Sequence, residues 1–168
     1  MPIQRIKILS LAGLVFSSLA CSGQVKSGAY RAMLKTLLDH SVPEVQVQQV
    51  AADSAATLFL DAREPKEFEV SHIQGAIHVG YDHFDMTQLS DIQKDTNIVV
   101  YCSVGYRSEK IAEKLLAAGY KNVSNLYGGI FEWVNQGHPV YDEKGQTNEV
   151  HAYSKTWGIW LRKGKKRY

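Results

Sequence analysis

The apolar residues of this chain come in short bursts whose period switches between that of a strand and that of a helix. Residues 98–101, Ile-Val-Val-Tyr, form an unbroken apolar run, the pattern of a strand buried on both faces in a parallel sheet. After a short loop at 102–107, Ile111, Ala112, Leu115 and Ala118 recur at helical spacing. Ser108 and Glu109 suit the start of that helix and Gly119 its stop. The same alternation covers most of the chain. It predicts a polar tether at 24–29, a helix over 29–40 with Met33, Leu34, Leu37 and Leu38 on one side, and an edge strand or its lead-in at 45–50. A strand at 57–60 then ends at Asp61, a helix at 64–70 opens with Pro65, and a strand at 76–79 precedes a helix at 84–92. A strand at 123–127 and a short helix at 129–135 close the series. Strands separated by helices in this way argue an α/β fold with a parallel sheet covered on both faces.

The loop between the 98–101 strand and its helix, Cys102-Ser103-Val104-Gly105-Tyr106-Arg107, carries candidate chemistry. Open α/β sheets place ligand sites beyond the carboxyl ends of strands, where helix amino termini offer free N–H groups. A thiol there is pushed toward the nucleophilic thiolate by amide donors, by the helix end and by a nearby guanidinium. Gly105 lets the backbone adopt positive φ so that amides curl around the sulfur, and Arg107 adds a permanent charge. The plainer reading, a packed cysteine, leaves the glycine and arginine spacing unexplained.

At the amino terminus, Arg5 and Lys7 precede a short apolar stretch and small residues, so residues 1–20 read as a secretory signal; an uncleaved anchor is the alternative. Ser18-Leu19-Ala20-Cys21 resembles a bacterial lipoprotein box, which would make Cys21 the lipidated first residue, with Ser18 where an aliphatic residue is usual. The chain is thus expected in the periplasm or cell envelope, anchored to the membrane by lipid. With Cys21 so explained, no disulfide is expected, and a lone thiol in an oxidising compartment favours a catalytic role for Cys102.

The chain holds 19 basic and 17 acidic residues, of which 1–20 contribute only Arg5 and Lys7. Six basic residues and no acid fall in the last 18, beside Tyr153, Trp157 and Trp160, which leaves the body negative. That tail either lies at a membrane interface or folds as a short helix packing its tryptophans on the body. An exported, acidic body is a poor partner for nucleic acid.

Residues 58–79, LFLDAREPKEFEVSHIQGAIHV, and 99–140, VVYCSVGYRSEKIAEKLLAAGYKNVSNLYGGIFEWVNQGHPV, together resemble a single rhodanese domain. The resemblance implies a three-layer α/β/α fold around a mainly parallel sheet of about five strands, at 45–141, after a tether and helix at 21–44 and before a basic aromatic extension at 142–168. It makes Cys102 the catalytic nucleophile that takes up a sulfane sulfur from thiosulfate, a persulfide or a polysulfide and passes it to a thiol or cyanide. Residues Ser103, Val104, Gly105, Tyr106 and Arg107 become the loop that cradles it, with Arg107 facing anionic donors. Asp61, Arg63 and His72 take structural support roles, as do Gly75, Gly128, Gly129 and Trp133. Three positions depart from the family pattern: Ser71 replaces a glycine, Gln74 a proline, and Ser103 stands where some members have arginine.

No cofactor or metal is expected, since His78 and His83 lack further ligands and an ionised thiol needs no histidine base. Two rivals share the fold or the chemistry. One is a non-catalytic or redox-sensing rhodanese-fold module of the envelope. The other is a cysteine-dependent phosphatase or arsenate reductase, whose anion loop resembles CxxxxxR, one residue longer than CSVGYR.

Overall fold

The apolar run at 98–101 becomes the middle of the molecule because both of its faces find apolar cover. In the computed structural model, which describes residues 25–168, five strands pair in parallel: β1 (Glu44–Val45), β2 (Leu58–Asp61), β3 (Ile77–His78), β4 (Asn97–Tyr101) and β5 (Asn122–Leu126). Their order across the sheet is β1-β5-β4-β2-β3. Val99 and Tyr101 of β4 point into one core cluster and Ile98 and Val100 into the other. The first cluster is covered by α1 (Gly28–Leu37), α2 (Val47–Ala52) and α5 (Gly129–Asn135), through Leu34, Val47 and Phe131. The second is covered by α4 (Tyr106–Ala117), through Ile111, Ala112 and Leu115. A short helix, α3 (Pro65–Val70), follows β2. The result is the expected three-layer α/β/α arrangement. The proposed signal at 1–20 and Cys21 lie outside the described residues.

Several boundaries differ from the pattern reading, for local reasons. The segment at 45–50 belongs to an edge strand only at Val45. Only Glu44 and Val45 pair with β5, and the chain then turns into α2, whose buried Val47 and Val50 are three residues apart, a helical spacing, while Val45 and Val47 alone supply the alternation. The segment at 84–92 holds only a 3-10 turn, Met86–Leu89, because Leu89 alone is buried and Asp85 caps the turn through the Thr87 amide at 2.9 Å. Helix α4 begins at Tyr106 rather than Ser108, leaving Ser108 buried inside its first turn. Ser71, where the family pattern has glycine, is extended at φ −175°, a backbone that any residue adopts.

Beyond α5 the chain adds a hairpin, β6 (Val140–Asp142) with β7 (Gly145–Thr147), then β8 (Glu149–His151) paired in parallel with β9 (Lys165–Arg167). Between the latter two lies a 3-10 turn, Trp157–Trp160. Trp160 stacks on Tyr30 of α1 with centroids 5.3 Å apart, and Leu161 is fully buried. Lys165 and Arg167 both reach Glu149, at 2.7 and 3.3 Å. The tail is thus folded onto the body, with two of its cations shared by one carboxylate.

At the end of β2, Asp61 and Arg63 form a fully buried ion pair. Arg63 Nε lies 2.9 and 3.1 Å from the two Asp61 oxygens, and Nη2 donates to Asp61 Oδ2 and to the Ser71 carbonyl, both at 2.6 Å. Burial opposes the guanidinium charge, but Asp61 outweighs it and holds the Arg63 pKa above its ordinary value. His72 braces the same corner: its Nδ1–H donates to Phe68 O at 3.1 Å, its ring stacks on Phe68, and its backbone bridges to Tyr141. Removing one partner of such a pair strands a charge in the core. Arg63→Met is therefore expected to cost about 3–5 kcal/mol, measured as a shift in urea unfolding, while the double change Asp61→Leu/Arg63→Met recovers much of the loss.

Candidate active site

Strand β4 delivers the candidate cysteine: its last residue is Tyr101, and Cys102 follows. The thiol is 1% exposed, and it is the free cysteine among the described residues. The chain then turns sharply through Gly105, whose φ of +125° lies where a side chain would be strained. This turn brings the Gly105 N–H onto Cys102 Sγ at 3.1 Å. The opposite side of the turn is fastened as well. Asn125 Nδ2 donates to the Gly105 carbonyl at 3.0 Å, and Ser108 Oγ sits 3.0 Å from that carbonyl and 2.7 Å from Asn125 Oδ1. Helix α4 begins one residue later, so its unpaired first-turn amides and positive dipole end lie beside the sulfur.

Helix α5 fixes the loop from behind. Ile130 N–H donates to the Cys102 carbonyl at 2.9 Å and Phe131 N–H to the Ser103 carbonyl at 3.2 Å. So close an approach requires glycine at the head of the helix. A Cβ on Gly129, which has φ +57°, would overlap the Cys102 carbonyl oxygen and come within 2.7 Å of Ser103 backbone atoms. The family-type Gly128-Gly129 pair thus positions the loop, a more specific task than general packing. Tyr30 reaches across from α1 to donate its hydroxyl to Gly128 O at 2.8 Å.

Arg107 does not face the cavity as a free cation. Its Nη1 and Nη2 lie 2.7 and 2.9 Å from the two oxygens of Glu67 on α3, and Nη2 is 3.1 Å from Ser103 Oγ. Glu67 also accepts from Ser103 Oγ at 2.9 Å and from the Glu64 amide at 3.0 Å. Burial alone would raise the Glu67 pKa, but the hydrogen bonds and charge of Arg107 overcome it and hold the carboxyl at about 2. Burial likewise works against Arg107, and Glu67 together with the charge of the Cys102 sulfur raises its pKa in spite of that. Glu67 had no assigned role in the sequence reading. Its one visible signal was a glutamate in the first turn of a helix, three residues after Glu64, which is also the mark of an ordinary cap.

Above the sulfur is a cavity of about 420 Å³. Cys102, Ser103, Val104, Tyr106 and Arg107 line it, as the sequence reading expected of the loop, while Gly105 serves through its amide. Asp61, Arg63 and His72 line no part of it; they support the neighbouring strand end and turn. The remaining walls were not foreseen: Leu37 from α1, Tyr81 from the loop after β3, and Tyr153 and Trp157 from the carboxyl-terminal segment, with Glu64 and Asp82 contributing acids. Tyr153 lies with its ring 5.2 Å from the Arg107 guanidinium carbon, and its backbone, at φ +64°, donates N–H to His151 Nδ1 at 3.1 Å. Among the described residues no three His, Cys, Asp or Glu side chains gather as metal ligands, and His78 Nε2 instead donates to Arg63 O at 2.8 Å.

Comparison with known proteins agrees with this geometry. A family profile described as a rhodanese-like domain matches residues 44–136. The chain is 40% identical over 104 residues to the tRNA uridine(34) hydroxylase of Photorhabdus laumondii, covering 56% of this chain and 29% of that protein. It is 42% identical over 91 residues to the enzyme of the same name from Pectobacterium atrosepticum, covering 51% and 25%. The chain therefore spans less than a third of these relatives' length. Among solved structures, a rhodanese-related protein from Thermoplasma volcanium superposes with a TM-score of 0.52 at 27% identity, covering 60% of this chain and 99% of that one. A thiosulfate sulfurtransferase from Pseudomonas aeruginosa shares the fold with a TM-score of 0.55 at 24% identity, covering 79% and 26%. More than half of the sequence falls under the family profile, the parallel sheet has the matching architecture, and the cysteine loop sits at the carboxyl end of its central strand: the chain belongs to the rhodanese family.

Proposed function

We propose that this protein is a sulfurtransferase that carries a sulfane sulfur as a persulfide on Cys102. The observation that carries the reading is the Gly105 amide donating to Cys102 Sγ at the floor of a cavity, beside the open end of α4. In the first step the Cys102 thiolate attacks the outer sulfur of a donor. A bond forms between Sγ and that sulfur, and the donor's sulfur–sulfur bond breaks with its electron pair leaving on sulfite, a sulfinate or a thiolate. In the second step an acceptor thiolate or cyanide attacks the terminal sulfur, and Cys102 departs as thiolate. Charge is conserved in both steps and no outside oxidant is needed. Amide donors near the sulfur stabilise the negative charge as it moves between Sγ and the terminal sulfur.

The rivals fit the same geometry less well. A phosphatase or arsenate reductase needs its loop arginine to grip oxyanion oxygens, whereas both terminal nitrogens of Arg107 are taken by Glu67. A non-catalytic module has no use for a cavity opening onto a buried, hydrogen-bonded thiol. The tRNA in the relatives' names is not carried over, because a polyanion would meet Glu64 and Asp82 at the cavity. Export and lipid anchoring at Cys21 rest on residues 1–21 alone and form part of the proposal.

Intact mass measured before and after incubation with a sulfane donor tests the reading. The expected gain is one sulfur atom, mapped to Cys102 and removed by cyanide; Cys102→Ser abolishes it. A Cys102→Ser protein that still transferred sulfur would overturn the mechanism. Glu67 yields a separate prediction in pH. Its carboxyl titrates at about 2 when folded and near 4.5 ordinarily, so its stabilisation is complete above about pH 4.5 and is lost as the pH falls toward 2. Urea unfolding between about pH 5 and about pH 3 should therefore fall more steeply for the wild type than for Glu67→Gln, which lacks this titrating group.

A further inference from the structure

The cavity over Cys102 has an unusual balance of charge for a site expected to take thiosulfate. Among the described residues that line it, the one cation is Arg107, already neutralised by Glu67, while Glu64 and Asp82 are acids without a cationic partner in the cavity wall. A thiosulfate dianion approaching a thiolate would meet these charges without a free cation to offset them. Apart from Cys102 itself and Ser103, the rest of the wall is aliphatic or aromatic: Leu37, Tyr81, Val104, Tyr106, Tyr153 and Trp157. Three of these, Leu37, Tyr153 and Trp157, lie outside the residues matched by the family profile.

The segment bearing Tyr153 and Trp157 is built to stay in place. Ala152 N–H donates to Arg167 O at 2.8 Å, so the β8–β9 ladder continues to the residue before Tyr153. Trp157 N–H donates to Ser154 Oγ at 3.3 Å, and the next residue, Gly158, donates to Ser154 O at 2.7 Å. Tyr153 itself is held at a positive φ by His151 and lies over Arg107, so its ring covers part of the one cation that an anion could have used.

We infer that the folded-back carboxyl-terminal segment makes this a site for organic sulfane donors, in which the transferred sulfur is attached to an apolar, preferably aromatic, group bearing at most one negative charge, rather than for thiosulfate. The inference rests on the sulfurtransferase reading. Its chemistry is balanced in the same way: for a thiosulfonate, Sγ bonds to the outer sulfur and the S–S bond breaks to release a sulfinate, which carries away the electron pair.

Three donors separate the contributions: benzenethiosulfonate, methanethiosulfonate and thiosulfate. Sulfur loading of the full-length chain is followed as kcat/KM in cyanide-coupled turnover, with each value divided by the donor's rate with free cysteine to remove intrinsic reactivity. The expected result is benzenethiosulfonate above methanethiosulfonate by about tenfold, from burial of the ring against the aromatic wall. Thiosulfate should be poorest, with a kcat/KM that rises as salt screens the acids. Trp157→Ala and Tyr153→Ala should each reduce the benzene-to-methane ratio several-fold, with thermal unfolding confirming that the variants are folded. Loading by all three donors with a ratio near one in the wild type, or a ratio that neither folded variant alters, would overturn the inference and leave sulfur transfer intact. A thiosulfate rate that falls with added salt would overturn its electrostatic part. No sulfur on Cys102 from any donor would overturn the sulfurtransferase reading and this inference together.

Discussion

Glu67 is a buried carboxylate that receives hydrogen bonds from both terminal nitrogens of Arg107, from the Ser103 hydroxyl and from the Glu64 amide. A charge taken out of water is tolerated only when its acceptor capacity is filled and an opposite charge lies against it, and here both conditions are met largely by the loop that holds Cys102. The ion pair therefore fixes the distance between α3 and the start of α4. It also determines what Arg107 is available to do: a guanidinium locked to a carboxylate orders the loop and supplies little net charge to a ligand.

The strand, loop and helix around Cys102 were legible in the sequence because the information is local. An apolar run, a glycine and a helical period lie within about twenty residues, and each reports its own backbone preference. Glu67 was not legible, since its partner is 40 residues away and a glutamate in the first turn of a helix has an ordinary capping explanation. The edge strand or lead-in expected at 45–50 stops at Val45 for a related reason. Val45 and Val47 alternate with glutamines, but Val47 and Val50 are also three apart, and the tertiary requirement to cover the first core cluster selected the helix. At 84–92 the apolar residues were present but a single buried leucine was too little to hold a full helix.

The carboxyl-terminal segment shows a different limit. Its basic residues and tryptophans are conspicuous in composition, yet composition does not say that Tyr153 and Trp157 turn toward the cavity while Trp160 turns toward Tyr30. That outcome depends on the pairing of β8 with β9 and on the burial of Leu161, contacts made between residues with no periodic signature. The family-matched region supplies Cys102 and its loop. Segments on either side of it, from α1 and from the tail, supply much of the apolar wall that a ligand would touch.

Helix α5 contributes no residue to the cavity wall among those described, yet it decides which way the loop faces. It takes the Cys102 and Ser103 carbonyls on its first amides, and a trans peptide is flat, with its oxygen and its hydrogen on opposite edges. Pulling those two oxygens backward turns the amide hydrogens of Ser103 and Val104 away from α5. Gly129 permits this by offering no side chain at the point of contact. The polarity of the loop surface away from α5 is thus set from the rear, by two peptide planes acting as levers with a bare glycine as their fulcrum.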